Sequence, residues 1–483
     1  MNQFKQLYKQ VYKHNKLFNI DKKQKQNPFN KKGRRINSAA VVGGALGDEG
    51  KGRVTDELTA KFLNDHKKVV HYRDNGGANA GHTVEVGQTR IALHQLGSGV
   101  LQNNATVILG KEMVLHPEDL VTEIEDVKQA AGSQQIPADL KIDEMAALCL
   151  DTHRAFEAVL KMRSRGSKGA TGRGISPAYA DVVYRHPLRM RDLATKNWQK
   201  KFKDHYDLYA GWVKGLGFKL AELEAPRLGG DNVKVGSADE FLQRLATTRE
   251  VLIEFIKPVY QDLKQYWQKE IPMVFEKAQA LGLDKRWGVY PDVTASNCGF
   301  DGIFSSTEGV VDPQQLAVRA AVIKATYTSS VGARRLPTMM NKKLADRIRK
   351  DASEFGATTG RPRDIAYLDL PMLSYLFKVG RVEDLVITHL DISYSDTPIK
   401  ICVSYKINGK EVDYRPDQLF LNQVKPEFIE LPSWNGTTIQ KITRLKNLPL
   451  ETLQYIAFIS QSLQTAPFLL TTGPKRNQTI HCY

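Results

Sequence analysis

Short apolar runs alternate with helical periodicity through most of the chain. Ala39 to Val42, Val69 to Tyr72, Thr106 to Leu109, Met273 to Phe275, Leu385 to Thr388 and Phe468 to Leu470 are continuous enough to predict buried strands. Between such runs, His116 to Val127 predicts a helix: Pro117 stands in its first turn, acids follow, and Leu120, Ile124 and Val127 share one face. Strands that carry no polar alternation and are separated by helices imply an α/β fold with a large, mostly parallel central sheet covered by helices. From about 195 to 270 the pattern is helical, rich in Lys, Tyr, Leu and Trp, without a strand signal until Met273; it predicts a helical insertion. Ile401 to Ile407, Asn408-Gly409 and Lys410 to Tyr414 predict a late β-hairpin. There is no internal repeat.

The first residues behave differently. Residues 1–36 hold nine lysines, Arg34 and Arg35 against Asp21, so most of the net charge of +16 lies there. Phe4, Leu7, Tyr8, Val11 and Tyr12 recur at helical spacing, yet the segment has little else to bury and reads as a solvated, flexible extension over 1–37. A membrane or partner helix, or an organellar address, is the second reading of this tail, although such an address is usually richer in Arg and Ser. An α/β catalytic body then occupies 38–483. Its modest positive charge suits small phosphate-bearing ligands at least as well as nucleic acid. No stretch approaches the ~20 apolar residues of a membrane span. Cys149, Cys298, Cys402 and Cys482 lie far apart, which excludes a disulfide scaffold and fits a reducing, cytoplasmic location.

Candidate chemistry concentrates in glycine-rich segments that follow predicted strands. In Val41 to Gly52 an apolar strand meets a glycine turn and then a helix near Arg53, a P-loop-like phosphate loop in which backbone N–H groups, a helix N-terminus and Lys51 all favour an anion. The usual pattern fails twice, because Ala45 replaces a glycine and Gly52 replaces the metal-binding hydroxyl. Asp48 is then the available oxygen ligand for a cation, and a carboxylate placed there could also serve as a base. Asn75 to Thr83 is a second small-residue loop, offering Asn79, His82 and Thr83. Gly169 to Asp181 with Arg185, Gly356 to Arg363, and Thr471 to Arg476 combine hydroxyls, glycines and arginine forks suited to carboxylate and phosphate. In an open parallel sheet such loops gather at one edge. Together they indicate an enzyme handling more than one anionic substrate.

In order and spacing, these segments resemble the adenylosuccinate synthetase family, which joins aspartate to inosine monophosphate (IMP) at the expense of GTP. The marks are G-D-E-G-K-G at 47–52, N-A-G-H-T at 79–83, T-G-R-G-I-x-P-A-Y at 171–179, A-Q at 278–279 followed by Y-P-x-V-T-x-S-N at 290–297, G-A-T-T-G-R at 356–361 and T-G-P-x-R at 472–476. The resemblance implies that Asp48 removes the N1 proton of hypoxanthine, so that O6 attacks the γ-phosphate; the amine of aspartate then displaces the 6-phosphoryl group. It implies His82, Lys51 and Gln279 as the other catalytic residues, and Mg²⁺ held by Asp48 and the carbonyl of Gly81. The IMP site implied is Asp48, Lys51, Asn79, Ala80, Gly81, His82, Thr171, Gln279, Thr294 and Arg361, with Arg185 reaching a neighbour's nucleotide across a homodimer interface. GTP would meet Gly47, Asp48, Glu49, Gly50, Lys51, Gly52, Arg53, Gly81, His82, Thr83, Arg363, His389, Leu390, Asp391, Thr471, Thr472 and Gly473, with Asp391 reading guanine. Aspartate would meet Ala357, Thr358, Thr359, Gly360, Arg361, Pro362 and Arg363.

The chain departs from the family pattern on binding surfaces. Ala45-Leu46 replaces Gln-Trp, Lys277 and Ala280 replace the glycines of E-G-A-Q-G, residues 333–339 replace G-P-F-P-T-E, and His389 stands where Lys is usual. Two alternatives follow from these changes: the same ligation on another 6-oxopurine nucleotide, or a non-catalytic nucleotide-binding regulator. Retention of Asp48 favours IMP.

Overall fold

The structure is a computed structural model that describes residues 2–13, 27–86, 89–163, 171–332, 334–356, 360 and 362–483. Its centre is a ten-stranded sheet. In chain order the strands are β1 (Arg35–Gly43), β2 (Val69–Arg73), β3 (Ala105–Leu109), β4 (Asp139–Asp143), β5 (Ile256–Lys257), β6 (Met273–Glu276), β7 (Leu316–Lys324), β8 (Asp384–Thr388), β9 (Ala466–Thr471) and β10 (Thr479–His481). They lie side by side as β5-β4-β3-β2-β6-β1-β7-β8-β9-β10. All neighbours run parallel except β9 and β10. β1 is central, pairing Ala39 with Val274 of β6 and with Val318 of β7. Helices cover both faces, so these strands are buried on both sides and carry apolar runs rather than alternation.

All six predicted strands fall within this sheet, and the predicted helix is Pro117–Ala131, with Leu120, Ile124 and Val127 buried. The hairpin joins Ile399–Ile407 to Lys410–Val412, with Asn408 at φ 50° and Gly409 at φ 78°, the left-handed pair that suits the right-handed twist of the strands. The segment 195–270 departs from an all-helical insertion. Helices Trp198–Gly215, Ala238–Leu252 and Tyr260–Gln268 are interrupted by the antiparallel pair Glu224–Pro226 and Asn232–Lys234, and by β5 at the sheet's edge. Strands of two or three residues are too short to leave a periodic signal.

The extension departs further from a solvated tail. Helix Gln3–Tyr8 buries Phe4, and Val11 of the next turn is also buried, both in the core that holds Phe458. Lys5 pairs with Glu427 at 2.8 Å, and the Asn2 amide donates to the Val403 carbonyl at 3.0 Å. Phe29 stands edge-on to Phe62 and Phe468, and β1 begins at Arg35, before the expected start at 38. The i, i+4 spacing of its apolar residues found a groove on the body, a partner that local composition does not reveal. Among the described residues, no helix is long and apolar enough to cross a membrane, and all four cysteines are buried and unpaired.

Candidate active site

The carboxyl ends of β1, β2, β6, β7, β8 and β9 lead into the loops that line one cavity of about 800 Å³. That is where an open parallel sheet places its ligands. The turn after β1 is built on left-handed backbone. Gly47 has φ 100°, and a Cβ there would lie 2.4 Å from Val331 Cγ2; Asp48 has φ 59° and Gly50 has φ 91°. Gly50 precedes the helix Lys51–Asp65 and no side chain caps it. The helix therefore presents its first-turn N–H groups and positive dipole end to the cavity, which is lined here by Gly47, Asp48, Gly50, Lys51, Gly52 and Arg53.

Glu49 does not join them. Its buried carboxylate accepts from the N–H of Gly47 at 2.7 Å and of Ala45 at 3.2 Å, and from Lys51 Nζ at 2.9 Å. The residue shapes the loop from behind and orients Lys51, while Thr388 Oγ1 donates to its carbonyl at 2.8 Å and ties the turn to β8. Arg53 donates to the carbonyls of Pro474 at 3.0 Å and Gln478 at 3.1 Å, fastening the Thr471–Thr479 segment beside the helix.

The loops after β2 and β6 are woven together. Gln279, at φ 58°, donates from Nε2 to Asn79 Oδ1 at 3.1 Å and accepts at Oε1 from Ser296 Oγ at 3.0 Å. Asn75 accepts from the Ala278 N–H at 2.9 Å and donates to Ser296 at 3.1 Å. Behind them Lys277 and Asp74, both fully buried, form an ion pair. Burial pushes the Asp74 carboxyl up to about 6 despite Lys277. Asn79, Ala80, Gly81, Gln279 and Thr294 line the cavity, as does Thr171. The backbone of His82 and Thr83 opens the strand His82–Val86, pairing with Leu93 and Ala92; their side chains lie outside the described residues.

Across the cavity, Arg363 holds the Asp48 carboxylate at 2.7 Å. Pro362 lines the same wall, whereas Gly360 is exposed outside it; Ala357, Thr358, Thr359 and Arg361 lie outside the described residues. His389, Asp391, Thr471 and Gly473 close the far end. Leu390 and Thr472 between them are buried, serving through backbone: Leu390 N–H donates to Thr471 at 3.1 Å and Thr472 N–H to Gln478 at 2.9 Å. Burial, reinforced by Lys324, pushes His389 down to about 4, and burial raises the Asp391 carboxyl. Arg185 lies away from the cavity, exposed at the left-handed C-cap of helix Ile175–Tyr184 with φ 69°.

Sequence reasoning missed Ser330, Val331 and Glu354, treated Arg334 only as a departure, and named Ser296 only within the 290–297 mark; all but Ser296 line the cavity. Arg334, an arginine in a segment already marked by change, and Ser296, inside a quoted motif, were the two that carried a signal. One cluster with metal-ligand spacing, His153, Asp181 and His205, lies elsewhere in the described residues. His153 Nδ1 accepts from the Leu150 N–H at 2.8 Å and Nε2 bonds Asp181 at 3.0 Å, so its one proton sits on the nitrogen a cation would need.

The family pattern of adenylosuccinate synthetase matches residues 40–480. The adenylosuccinate synthetase of Clostridium perfringens is 32% identical over 449 residues, 92% of this chain and 99% of that one. That of Hahella chejuensis is 31% identical over 447 residues, 92% and 98% of the two chains. The structure of fully ligated adenylosuccinate synthetase from Plasmodium falciparum superposes with a TM-score of 0.81 at 26% identity, over 92% of this chain and 99% of that one. Agreement from the first strand to the last places this chain in the adenylosuccinate synthetase family.

Proposed function

We propose that this cavity joins L-aspartate to IMP at the expense of GTP, giving adenylosuccinate, GDP and phosphate. The observation that carries the reading is convergence: the Asp48 turn, the Asn79–Gly81 loop and Gln279 face one space, with Arg363 opposite. Asp48, with its side chain 34% exposed, would take the N1 proton of hypoxanthine, which makes O6 the nucleophile toward the γ-phosphate. The bond from O6 to phosphorus forms as the bond to the diphosphate breaks, and the amine of aspartate then displaces phosphate from C6. Lys51 and the helix N-terminus offset charge on the phosphates. Gln279, braced by Asn79 and Ser296, would orient the purine nucleotide. His82 is assigned to the departing diphosphate. Arg363 would meet the carboxylates of aspartate, which requires it to exchange the Asp48 carboxylate for those of the substrate.

The Asp48 carboxylate and the Gly81 carbonyl are hard oxygen donors on the cavity wall, a set that fits Mg²⁺. When bound, that ion neutralises charge on the triphosphate. Asp391 would accept from guanine N1–H and the 2-amino group. Val183, Tyr184 and Arg185 are exposed together at the end of one helix, which supports a homodimer in which Arg185 completes the neighbour's IMP site.

The full chain supplied with IMP, GTP, Mg²⁺ and L-aspartate should release phosphate and shift the purine ultraviolet spectrum, and Asp48→Ala should abolish both while leaving the circular dichroism unchanged. Absence of product with every purine nucleotide pair would refute the assignment.

A further inference from the structure

His389 leaves β8 in the left-handed conformation, φ 57°, and its ring lines the cavity two residues before Asp391. Its Nδ1 lies 2.8 Å from the Tyr327 hydroxyl, and that hydroxyl lies 2.6 Å from Glu354 Oε1. Glu354 also accepts from Lys324, whose Nζ donates to Ser329 Oγ at 2.6 Å as well. Burial alone would raise the Glu354 carboxyl, but Lys324 and these hydrogen bonds hold it below its ordinary range. Glu354 is therefore ionised and can only accept.

Those charges decide where each proton sits. Two oxygens 2.6 Å apart, one of them a carboxylate, require the single phenol proton between them. Tyr327 then has none to offer His389, so Nδ1 must be the donor and the tyrosine oxygen the acceptor. A neutral imidazole carries one N–H, and burial keeps this ring neutral. Nε2 is consequently a lone pair, and no described side chain bonds to it. A lysine at this position would offer donors alone.

We propose that the Lys324–Glu354–Tyr327 relay fixes His389 as a hydrogen-bond acceptor toward the base of the phosphoryl donor, making it a specificity-determining residue that narrows the preference for guanine over adenine. The inference rests on reading 389–391 as the base-binding end of the cavity. Asp391 rewards guanine for N1–H and its 2-amino group. At the 6-position the situation reverses: guanine shows an acceptor oxygen, which gains nothing from Nε2, whereas adenine shows an amino donor, which does.

The test is the ratio of GTP to ATP, measured as kcat/KM with IMP and aspartate saturating and, independently of turnover, as the two dissociation constants by calorimetry. His389→Lys should raise the ratio about tenfold, the worth of one exchanged hydrogen bond. Tyr327→Phe leaves the fold's volume intact and frees Nδ1, so that the ring can donate from Nε2 instead; it should raise the ratio severalfold in the same direction. A ratio unchanged in both variants, or equal weakening of both nucleotides by Tyr327→Phe, overturns the proposal. Binding without turnover would sink the ligase reading while the calorimetric ratio still decides this one, and no binding of either nucleotide would overturn both.

Discussion

Lys277→Met removes one charge of a fully buried pair while nearly preserving the side-chain stem. Lys277 and Asp74 are both 0% exposed, and Asp74 Oδ1 has no partner among the described residues, so the ammonium is the main support of that carboxylate. Breaking a buried pair from one side costs about 3–5 kcal/mol, because the remaining charge is neither solvated nor matched. The deficit should depend on pH. With Lys277 present the Asp74 carboxyl already sits at about 6, above its unfolded value, and without Lys277 it moves higher. A carboxyl raised in the folded state favours folding below its unfolded pKa, and that advantage is lost as pH rises through the folded pKa. Urea unfolding of the full chain should therefore show the full deficit at pH 8 and a smaller one at pH 5, where Asp74 takes a proton. The double variant Lys277→Met/Asp74→Leu should recover most of the loss, since an apolar pair of similar volume is commonly neutral. The pair also stands directly behind Asn75 and Ala278, so Lys277→Met should raise the KM for IMP more than it lowers kcat. A deficit below about 1 kcal/mol at pH 8, or equal deficits at both pH values, would refute this reasoning.

Three further outcomes follow from single contacts. Gly47→Ala places a Cβ 2.4 Å from Val331 Cγ2 at φ 100°, so it should cost about 2 kcal/mol by denaturant midpoint and weaken triphosphate binding at least tenfold by calorimetry. Burial lowers His389 to about 4, so its contribution to stability is present above its unfolded value and is lost as pH falls from about 6.5 through 4; His389→Asn should flatten that part of the stability profile by up to about 3 kcal/mol. Phe4→Ala should destabilise the full chain by about 3 kcal/mol in urea, whereas a tail merely attached to the body would leave the midpoint unchanged.

Six strands were legible because burial on both faces favours continuous apolar runs, as in Ala39 to Val42 of β1, Val69-Val70 of β2 and Leu385 to Ile387 of β8. β5 and β10 were not, since two or three residues carry no period, and β4 and β7 were missed too, their apolar runs broken by Lys141 and Arg319. The phosphate turn was legible from glycines that a left-handed backbone requires, but the task of Glu49 was not: an acid inside such a turn reads as a ligand until its oxygens are seen taking the N–H groups of Gly47 and Ala45. The helix at Gln3–Tyr8 showed its apolar stripe, yet what the stripe packs against comes from a core assembled hundreds of residues later. The relay of Lys324, Tyr327, Glu354 and His389 was invisible for the same reason, because each member is unremarkable alone and only the edge of the sheet brings them together.

Lys277 and His389 share a physical logic. A buried charge network stands behind the loop of each: Lys277 with Asp74 under the Gln279 turn, and Lys324 with Glu354 under His389. A buried ion pair adds little net stability over an apolar replacement, but it is intolerant of misplacement, since either partner moved alone is left uncompensated. Such pairs constrain position more than they stabilise the fold. The proposed purine contacts at Gln279 and His389 rest on these pairs, so changes to them should alter substrate preference before they alter capacity for the reaction.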